Sequence, residues 1–402
     1  MKKCRLCDHD KFDKVLDMGD NALVNSLLES VDLTVEEEVY PLELVRCKNC
    51  GFVQVKKPID ANKIYKDQDY LYYSSDMPGL SEYFKTYTDK LHFAPAGSLV
   101  VEIGSNDGIM LRHFADRGHA VLGIDPSTNV AIRAMRNGIP TLPLFFTERL
   151  ARTIQKEFGS VELIYGNNCI AHIDDLEDVM KGVTALLSDT GVFAVECNYW
   201  GAMVKDKNYA LVYHDHFSYF SLKNWVEYAK KHGMYVIHAE VTPAQGGSLR
   251  VFMSKEQQEP TASFIEIEEQ EKELDLNSKK TCQRYGKDCV EEAKKLRETI
   301  ERIKADGKTI VGYGAAAKGF SVLKLAGIDQ RHIDCFVDDS PAKQGKYTPV
   351  TRIPVLARKD LTKNPDYFFI TAPNYAAVIM EKEKDFLEKG GKFILCDSTI
   401  VG

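Results

Sequence analysis

The sequence has no long apolar run. No stretch approaches the roughly 18 consecutive apolar residues that a membrane-spanning helix needs. The basic start Met1-Lys2-Lys3 is not followed by the apolar segment of a secretory signal peptide. We therefore expect a cytoplasmic protein with no membrane partner.

An excess of basic residues is also absent. The chain has 52 Lys and Arg against 59 Asp and Glu, for a net charge of -7, so nothing electrostatic favours nucleic acid as a partner. An anionic small molecule remains compatible, because local lysines and backbone amides can bind it. With 44% hydrophobic and 28% charged residues among 402, and no low-complexity repeat, the sequence is typical of a globular protein of two or three domains. We expect a monomer.

Ten cysteines without a secretion signal are expected to be reduced, buried or metal-bound. Four of them form two CxxC pairs, Cys4 with Cys7 and Cys47 with Cys50. The short gap lets both thiolates of a pair face one ion, and four thiolates fill the tetrahedral shell of zinc. The pairs therefore predict a structural zinc module. Because the 39 residues between them exceed the spacing of a compact zinc ribbon, a redox pair or simple burial is the alternative.

The pattern of the central region alternates strands and helices. Residues 98–103 read as a buried strand, residues 104–108 as a glycine turn, and residues 120–124 as a second strand that ends at Asp125. Strand, glycine turn, helix, strand and acid is the layout of a nucleoside-binding half of a doubly wound sheet. In that layout the acid accepts hydrogen bonds from ribose hydroxyls.

The glycine turn favours a particular nucleoside. Its GxNxG pattern lacks the third glycine of a dinucleotide site, and the preceding Glu102 would repel a pyrophosphate but suits a cationic ligand such as S-adenosylmethionine. NAD and a purely structural turn are the alternatives. The candidate cofactor-binding residues here are Glu102, Gly104, Ser105, Asn106, Gly108 and Asp125.

A second nucleotide-type loop follows the charge-rich, helical stretch 255–308. It reads G-x-G-x-x-A from Gly312, and the later Lys318 could pair with a phosphate as a point charge. A lone match of this kind is weak, so a nicotinamide-dependent dehydrogenase using the Gly312–Gly314 loop stays as a rival function.

Titratable groups crowd into the stretch Tyr213-His214-Asp215-His216. An unperturbed histidine titrates near pH 6.5, which suits it to proton abstraction better than a tyrosine near 10. In an extended segment residues two apart share a face. Spacing alone therefore leaves either His214 or His216 as a candidate base.

Five motifs, in this order, resemble the three-part bacterial sugar C-methyltransferases. They are the two CxxC pairs, Glu102 to Gly108, Asn167 to His172, Tyr213 to His216, and Gly312 to Gly319. The resemblance covers nearly the whole chain. It implies an α/β protein with a small zinc-binding module, a central doubly wound, Rossmann-like S-adenosylmethionine domain and a C-terminal Rossmann-like domain for a sugar nucleotide. We place these parts at residues 1–70, 71–254 and 255–402.

The resemblance also implies a reaction, methylation at C3 of a nucleotide-linked 4-keto sugar after removal of the proton beside the ketone. It selects His216 as the base, with Tyr213 and Asp215 orienting the imidazole or binding substrate, and adds His172 and Tyr72. It further adds Asn167 and Asn168 on the cofactor side. The implied substrate-binding residues are His214, Tyr313, Gly314, Lys318, Asp338 and Lys343.

Several alternatives stay open at this point. His172 could instead cap the following helix, and Tyr72 could be a core aromatic. Asp215 departs from the glutamate usual in the family, which shortens the carboxylate side chain by one methylene. O- or N-methylation of a related sugar nucleotide, or a noncatalytic zinc-containing binding protein, are further alternatives to C-methylation.

Overall fold

The computed structural model describes residues 3–23, 26–30, 37–67, 69–91 and 93–402. Its strands are β1 Phe12–Asn21, β2 Tyr40–Cys47, β3 Val53–Val55, β4 Leu99–Ile103, β5 Ala120–Ile124, β6 Thr141–Leu142, β7 Val161–Asn167, β8 Leu187–Asn198, β9 Ser218–Tyr219, β10 Tyr235–Thr242, β11 Ser248–Ser254, β12 Ile310–Tyr313, β13 Phe336–Val337, β14 Val355–Leu356, β15 Tyr367–Ile370, β16 Lys392–Ile394 and β17 Ile400–Val401. Its α-helices are α1 Ala61–Tyr65, α2 Leu80–Thr88, α3 Ile109–Ala115, α4 Thr128–Arg136, α5 Glu148–Phe158, α6 Leu176–Leu186, α7 Trp200–Asp206, α8 Leu222–Lys231, α9 Ala262–Glu273, α10 Lys279–Ala305, α11 Ala317–Ala326, α12 Ala376–Lys382 and α13 Lys384–Glu388.

The strands form three sheets. The N-terminal sheet has the order β1-β2-β3-β9, with every neighbouring pair antiparallel. Its fourth strand, β9, comes from the range expected for the central domain. The zinc-module prediction did not include this sheet.

The central sheet has seven strands in the order β10-β11-β8-β7-β4-β5-β6. Neighbouring strands from β8 to β6 are parallel, whereas β11 is antiparallel to both β8 and β10. Val100, Val101 and Ile103 of β4 are all buried, because helices cover both faces of a parallel sheet. The chain reverses direction across the sheet at β4, and ligands of such folds bind at the carboxyl ends of the strands beside this point.

The C-terminal sheet has the order β14-β13-β12-β15-β16-β17 and is parallel except for β17. Strand β12 lies between β13 and β15, so the second glycine loop also leaves a strand where the chain order reverses. The predicted α/β class, with Rossmann-like sheets and a cysteine-rich N-terminal module, is confirmed.

The charge-rich stretch before β12 forms the two amphipathic helices α9 and α10. Apolar residues of α10 recur at three- and four-residue intervals and are buried, among them Leu296, Ile300 and Ile303. At Gly286 this helix contacts β1 so closely that an added Cβ would lie 1.8 Å from the carbonyl oxygen of Val15. Helix α10 therefore packs directly against β1 of the N-terminal sheet. Within the described ranges, no helix is long and apolar enough to cross a membrane.

Candidate active site

A single cavity of about 1150 Å³ runs between the carboxyl edges of the central and C-terminal sheets. Most of the predicted site residues line it, although they come from distant parts of the chain. They are Tyr72, Gly104, Asn106, Asp125, Asn167, Asn168, His172, Tyr213, Asp215, His216, Tyr313, Gly314, Lys318, Asp338 and Lys343. Glu102, Ser105, Gly108 and His214 do not line it.

The first glycine loop turns sharply between β4 and α3. Gly104, Asn106 and Gly108 have positive φ values of 67°, 49° and 78°, which glycine adopts freely and asparagine tolerates. The loop amide of Asn106 donates to Oδ2 of Asp125 at 2.9 Å. This contact joins the loop to the end of β5, where a nucleoside would meet both.

Asp125 is buried at the end of β5. Burial raises the pKa of its carboxyl, while the amides of Ser127 and Asn106 act in the opposite direction. Each of these amides donates to a different carboxylate oxygen, at 2.9 Å in both cases. The carboxylate keeps further lone pairs for ribose hydroxyls.

The other predicted cofactor-binding residues, Glu102, Ser105 and Gly108, contact other parts of the protein and do not line the cavity. Glu102 is buried within β4 and accepts a hydrogen bond from the hydroxyl of Tyr165 at 3.1 Å, and burial raises its pKa well above the usual value. Ser105 packs against Gly123, and Gly108 packs against Ile139 at the start of α3. These three residues shape the loop and its strand without lining the cavity.

The aromatic segment Tyr70–Asp76 is fastened over the glycine loop by Asn106. The Asn106 side chain accepts from the amide of Ser74 at 2.8 Å and donates to the carbonyl of Tyr72 at 3.1 Å. Tyr72 thereby lies half-buried on the cavity wall rather than in the core.

Asn167 and Asn168 come at the carboxyl end of β7, next to β4. Asn168 has a positive φ of 52°, and its amide donates to the carbonyl of Glu196 at 2.7 Å. The side-chain nitrogen of Asn167 lies 2.8 Å from Sδ of Met110 in α3. Both asparagines therefore border the glycine loop where a bound nucleoside would extend.

Both ring nitrogens of His216 have hydrogen-bond partners. Its Nδ1 lies 2.8 Å from the carbonyl oxygen of Leu211 and its Nε2 lies 2.7 Å from the hydroxyl of Tyr213. A carbonyl only accepts, so Nδ1 carries the proton and Nε2 accepts from Tyr213. Burial holds the pKa of His216 well below the usual value. The imidazole is thus a neutral base with its lone pair aimed at a tyrosine on the cavity wall.

The expectation that His214 and His216 share a face is wrong. The amide of His216 donates to the carbonyl of Tyr213 at 3.1 Å, which closes a turn instead of an extended segment. His214 consequently points to the N-terminal module, where its Nε2 lies 3.3 Å and 3.2 Å from the carbonyl oxygens of Asn21 and Tyr40. It lies outside the cavity that His216 lines.

His172 lies beside His216, with 5.0 Å between ring centroids. Its Nδ1 lies 2.9 Å from the hydroxyl of Tyr65, and burial lowers its pKa to about 4. The alternative capping role belongs instead to Asp175, which accepts from the amide of Asp178 at the start of α6.

Two cavity-lining residues that contact the histidine pair were missed by the sequence analysis. Tyr65 contacts His172, and the side-chain amide of Asn198 lies 2.9 Å from Nδ1 of His216, where the amide oxygen, with the amide turned over, accepts from the protonated nitrogen. Asn198 ends β8 at the same sheet edge as Asn167, so its position after a buried strand could have indicated it. Tyr65 ends the short helix α1 of the N-terminal region, and no local pattern marks it.

Asp215 is buried and lines the cavity. None of the hydrogen bonds among the described residues involves this carboxyl, and burial raises its pKa to about 7. A large part of it is therefore protonated near neutrality and can donate a hydrogen bond.

The second glycine loop forms the opposite wall. Gly314 has a φ of 88° after β12. The following amide of Ala315 donates to Asp338 at 2.7 Å, and Nζ of Lys343 lies 3.3 Å from the same carboxylate oxygen. Tyr313 donates its hydroxyl to Glu383 at 3.2 Å. These contacts fix the loop at the mouth of the cavity.

Lys318 enters the cavity from the start of α11. Its Nζ donates to Oε1 of Gln245 at 2.9 Å, and burial lowers its pKa to about 7. A buried amine of this kind becomes fully charged when an anion approaches it.

The four predicted metal-binding cysteines come together in the N-terminal module. All four Sγ atoms lie within 4.8 Å of one another, with 3.5 Å between Cys4 and Cys50 and 3.6 Å between Cys7 and Cys47. Zn–S bonds of 2.3 Å in a tetrahedron place sulfurs about 3.8 Å apart. The cluster fits one tetrahedral ion.

Comparison with known families agrees with this geometry. A profile described as "Methyltransferase domain" matches residues 80–239, one described as "C-methyltransferase C-terminal domain" matches residues 243–396, and one described as "Putative zinc binding domain" matches residues 4–65. Together with the glycine loop and the sheet, they define an S-adenosylmethionine-dependent methyltransferase.

One relative narrows the assignment from methyltransferases in general to C-methyltransferases. C-methyltransferase NovU of Streptomyces niveus is 33% identical over 399 residues, which are 98% of this chain and 94% of the relative. The chain belongs to this C-methyltransferase family.

Solved structures of lower similarity also match. A methyltransferase of Clostridium acetobutylicum is 10% identical with a TM-score of 0.35, over 45% of this chain and 93% of that one. One of Anabaena variabilis is 14% identical with a TM-score of 0.35, over 44% of this chain and 86% of that one.

Proposed function

We propose that this C-methyltransferase acts on a nucleotide-linked 4-keto sugar and adds the methyl group at C3. The observation that carries the proposal is the single cavity shared by two glycine loops, with the histidine pair between them. Its volume of about 1150 Å³ exceeds the roughly 300–1,000 Å³ of a pocket for one small ligand. Two ligands therefore fit side by side.

On the donor side, Gly104, Asn106, Asp125, Asn167 and Asn168 would hold S-adenosylmethionine. Bound there, it supplies an electrophilic methyl group on a sulfonium. The buried Asp125 offers acceptor sites for ribose hydroxyls, and the loop glycines let the backbone approach the ligand. The five residues come from three neighbouring strand ends of one sheet.

On the acceptor side, Lys318 and Lys343 would pair with the phosphates of the sugar nucleotide. The amine of Lys318 is partly neutral before the ligand binds, because its pKa is depressed. Binding a phosphate would raise this pKa and keep the amine charged. Tyr313, Gly314 and Asp338 line the same wall and would place the nucleoside. The sugar would then lie between this wall and His216.

For the reaction, His216 would be the base that removes the proton from C3, acting through Tyr213. Tyr213 donates its hydroxyl to Nε2 of His216 at 2.7 Å, so the tyrosine oxygen would take the proton from C3 while the hydroxyl proton of Tyr213 passes to Nε2. The protonated carboxyl of Asp215 would donate to the ketone oxygen, where negative charge develops. His172 lies close enough to contact the same sugar.

We also propose that the four cysteines hold one structural zinc. A full shell of four thiolates leaves no open position for substrate. The ion would stabilise the N-terminal module and take no part in methyl transfer.

The acceptor proposal is tested with labelled S-adenosylmethionine and a panel of keto sugar nucleotides. We expect label in a product whose new methyl group is bonded to C3, identified by NMR. Label on oxygen or nitrogen would assign the enzyme to O- or N-methylation instead. Label in no sugar nucleotide, despite donor binding by calorimetry, would overturn the proposed acceptor class.

His216→Asn is expected to abolish solvent deuterium exchange at C3, because the ring lone pair that accepts from Tyr213 is lost. Donor affinity should remain within about threefold, since His216 lies outside the glycine loop. Exchange is followed by NMR in deuterated buffer.

His214→Asn provides the comparison. Its histidine faces the backbone of Asn21 and Tyr40 rather than the cavity, so exchange should persist. Full exchange in His216→Asn together with its loss in His214→Asn would transfer the role of base to His214.

A further inference from the structure

Arg5 lies inside the first cysteine pair, between Cys4 and Cys7, yet its side chain extends away from the thiols. It is 4% exposed and passes over the ring of Phe217, with 5.7 Å from Cζ to the ring centroid. Phe217 directly follows His216 in the chain. A residue of the cysteine module thus reaches the segment of the proposed base.

The guanidinium of Arg5 joins two segments that carry the histidines of the cavity. Its Nε donates to Oδ1 of Asp174 at 2.9 Å, two residues after His172. Its Nη1 donates to the carbonyl of Phe217 at 3.2 Å, one residue after His216. Burial lowers the pKa of Arg5, and the charge of Asp174 opposes this effect.

A backbone contact completes the junction. The amide of Phe217 donates to the carbonyl of Ala171 at 2.8 Å, so the two histidine segments also touch each other directly. The Nη1 of Arg5 bonds in addition to the carbonyl of Val55 at 3.0 Å. Arg5 therefore ties β3, the segment after His172 and the segment after His216 together with one planar group.

Only an arginine can make this set of contacts. The guanidinium presents several donors in fixed directions, whereas a lysine ammonium is a point charge on a flexible stem. A lysine could keep the ion pair with Asp174 but not hold both carbonyls at once. Misplacing catalytic groups by about 1 Å can cost roughly 100-fold in rate.

We propose that Arg5 is a positioning residue that sets the distance between His172 and His216, and so couples the cysteine module to the catalytic centre. This rests on the proposed roles of the two histidines. The coupling acts through hydrogen bonds and needs no contact between Arg5 and substrate.

The test compares Arg5→Lys with Arg46→Lys in the full-length protein. Arg46 belongs to the same module and also bonds a carboxylate and a backbone carbonyl, those of Asp13 and Asn277. Its hydrogen bonds and ion pair with described residues do not reach either histidine segment. Both variants remove a guanidinium of similar surroundings, so a general loss of stability should affect both.

For Arg5→Lys we expect kcat to fall about 10- to 100-fold, with KM, donor affinity and metal content unchanged within about threefold. The ¹⁵N imidazole shifts of His172 and His216 should change in the substrate-free protein. Arg46→Lys should keep native kcat and native histidine shifts.

Native histidine shifts in a folded Arg5→Lys variant would overturn the proposal, as would equal losses of kcat in both variants. The NMR measurement needs no acceptor, so it decides on Arg5 even if no sugar nucleotide is methylated. Should Arg5→Lys fail to fold, Asp174→Ala removes the acceptor of the Nε hydrogen bond from the other side. Unchanged shifts of His172 in that variant would equally overturn the proposal.

Discussion

Burial decides which groups of the site carry charge. His172 and His216 have lowered pKa values because their charged forms lose hydration, and Asp215 has its pKa raised to about 7 for the same reason. Near pH 7 the cavity therefore holds neutral imidazoles and a carboxyl that is about half protonated. A neutral imidazole has a lone pair that can accept a proton, although its lowered pKa makes it a weaker base, and a protonated carboxyl can donate to an oxygen on which charge develops.

Asp215→Asn is expected to stabilise the protein above about pH 4. Between its unfolded value near 3.8 and its folded value of about 7, the folded wild type keeps a proton that the unfolded chain has lost. Wild-type stability contributed by this group therefore falls as pH rises through that window. The asparagine does not titrate, so the gain should grow from pH 4 to 7 and then level off, at no more than about 4 kcal/mol.

The gain is measured as the difference in unfolding free energy from urea titrations of both proteins at several pH values. The histidines titrate in both proteins, so their opposite contribution cancels. Parallel stability curves across this window would contradict a raised pKa for Asp215.

The sequence indicated the residue types of the site better than their partners. Tyr213, Asp215 and His216 are adjacent, so their clustering is visible in the chain. Whether His214 or His216 faces the cavity depends on the turn at Tyr213 and on contacts to Asn21 and Tyr40, which are remote in sequence. No local periodicity encodes such contacts.

Among the elements, the segment Tyr70–Asp76 and the glycine loop act as one unit through Asn106. Asn106→Gly keeps the positive φ accessible but removes the bonds to Ser74 and Tyr72. Two lost hydrogen bonds of about 1 kcal/mol each should weaken donor binding by up to about thirtyfold. Calorimetry with S-adenosylmethionine measures the effect.

Asp275→Gly is the matched control, because Asp275 also has a positive φ, of 45°, and lies between α9 and α10. Its donor affinity should stay native. Equal affinities for Asn106→Gly and the wild type would mean that the segment does not contribute to donor binding.

Parallel strands were the elements best predicted from sequence. β4, β5 and β7 are short apolar runs ended by glycine, aspartate or asparagine, a local pattern that parallel strands share. The N-terminal sheet was not predicted. Register shifts interrupt the pairing of its long strands β1 and β2 at Lys14–Leu16 and Asp17–Asp20, and β3 has three residues and β9 has two. Strands of that length carry no readable alternation and depend on pairing between distant segments.

For the whole molecule, we expect about one zinc per chain by metal analysis, since four thiolates form one tetrahedral shell. Cys4→Ser should lower the melting temperature, because metal binding stabilises the folded module. Donor affinity should remain within about threefold, since the glycine loop belongs to another sheet. A metal-free protein with native activity and stability would remove the zinc assignment.

The pairing of β3 with β9 has a consequence for synthesis on the ribosome. β3 ends at Val55, whereas β9 begins at Ser218. At a synthesis rate of about 5–20 residues per second, the edge of β3 therefore stays unpaired for roughly 10–30 s before β9 is made. An open edge invites pairing with other nascent chains, and very short edge strands discourage it. The three-residue length of β3 thus protects the N-terminal module during translation until the segment after His216 arrives.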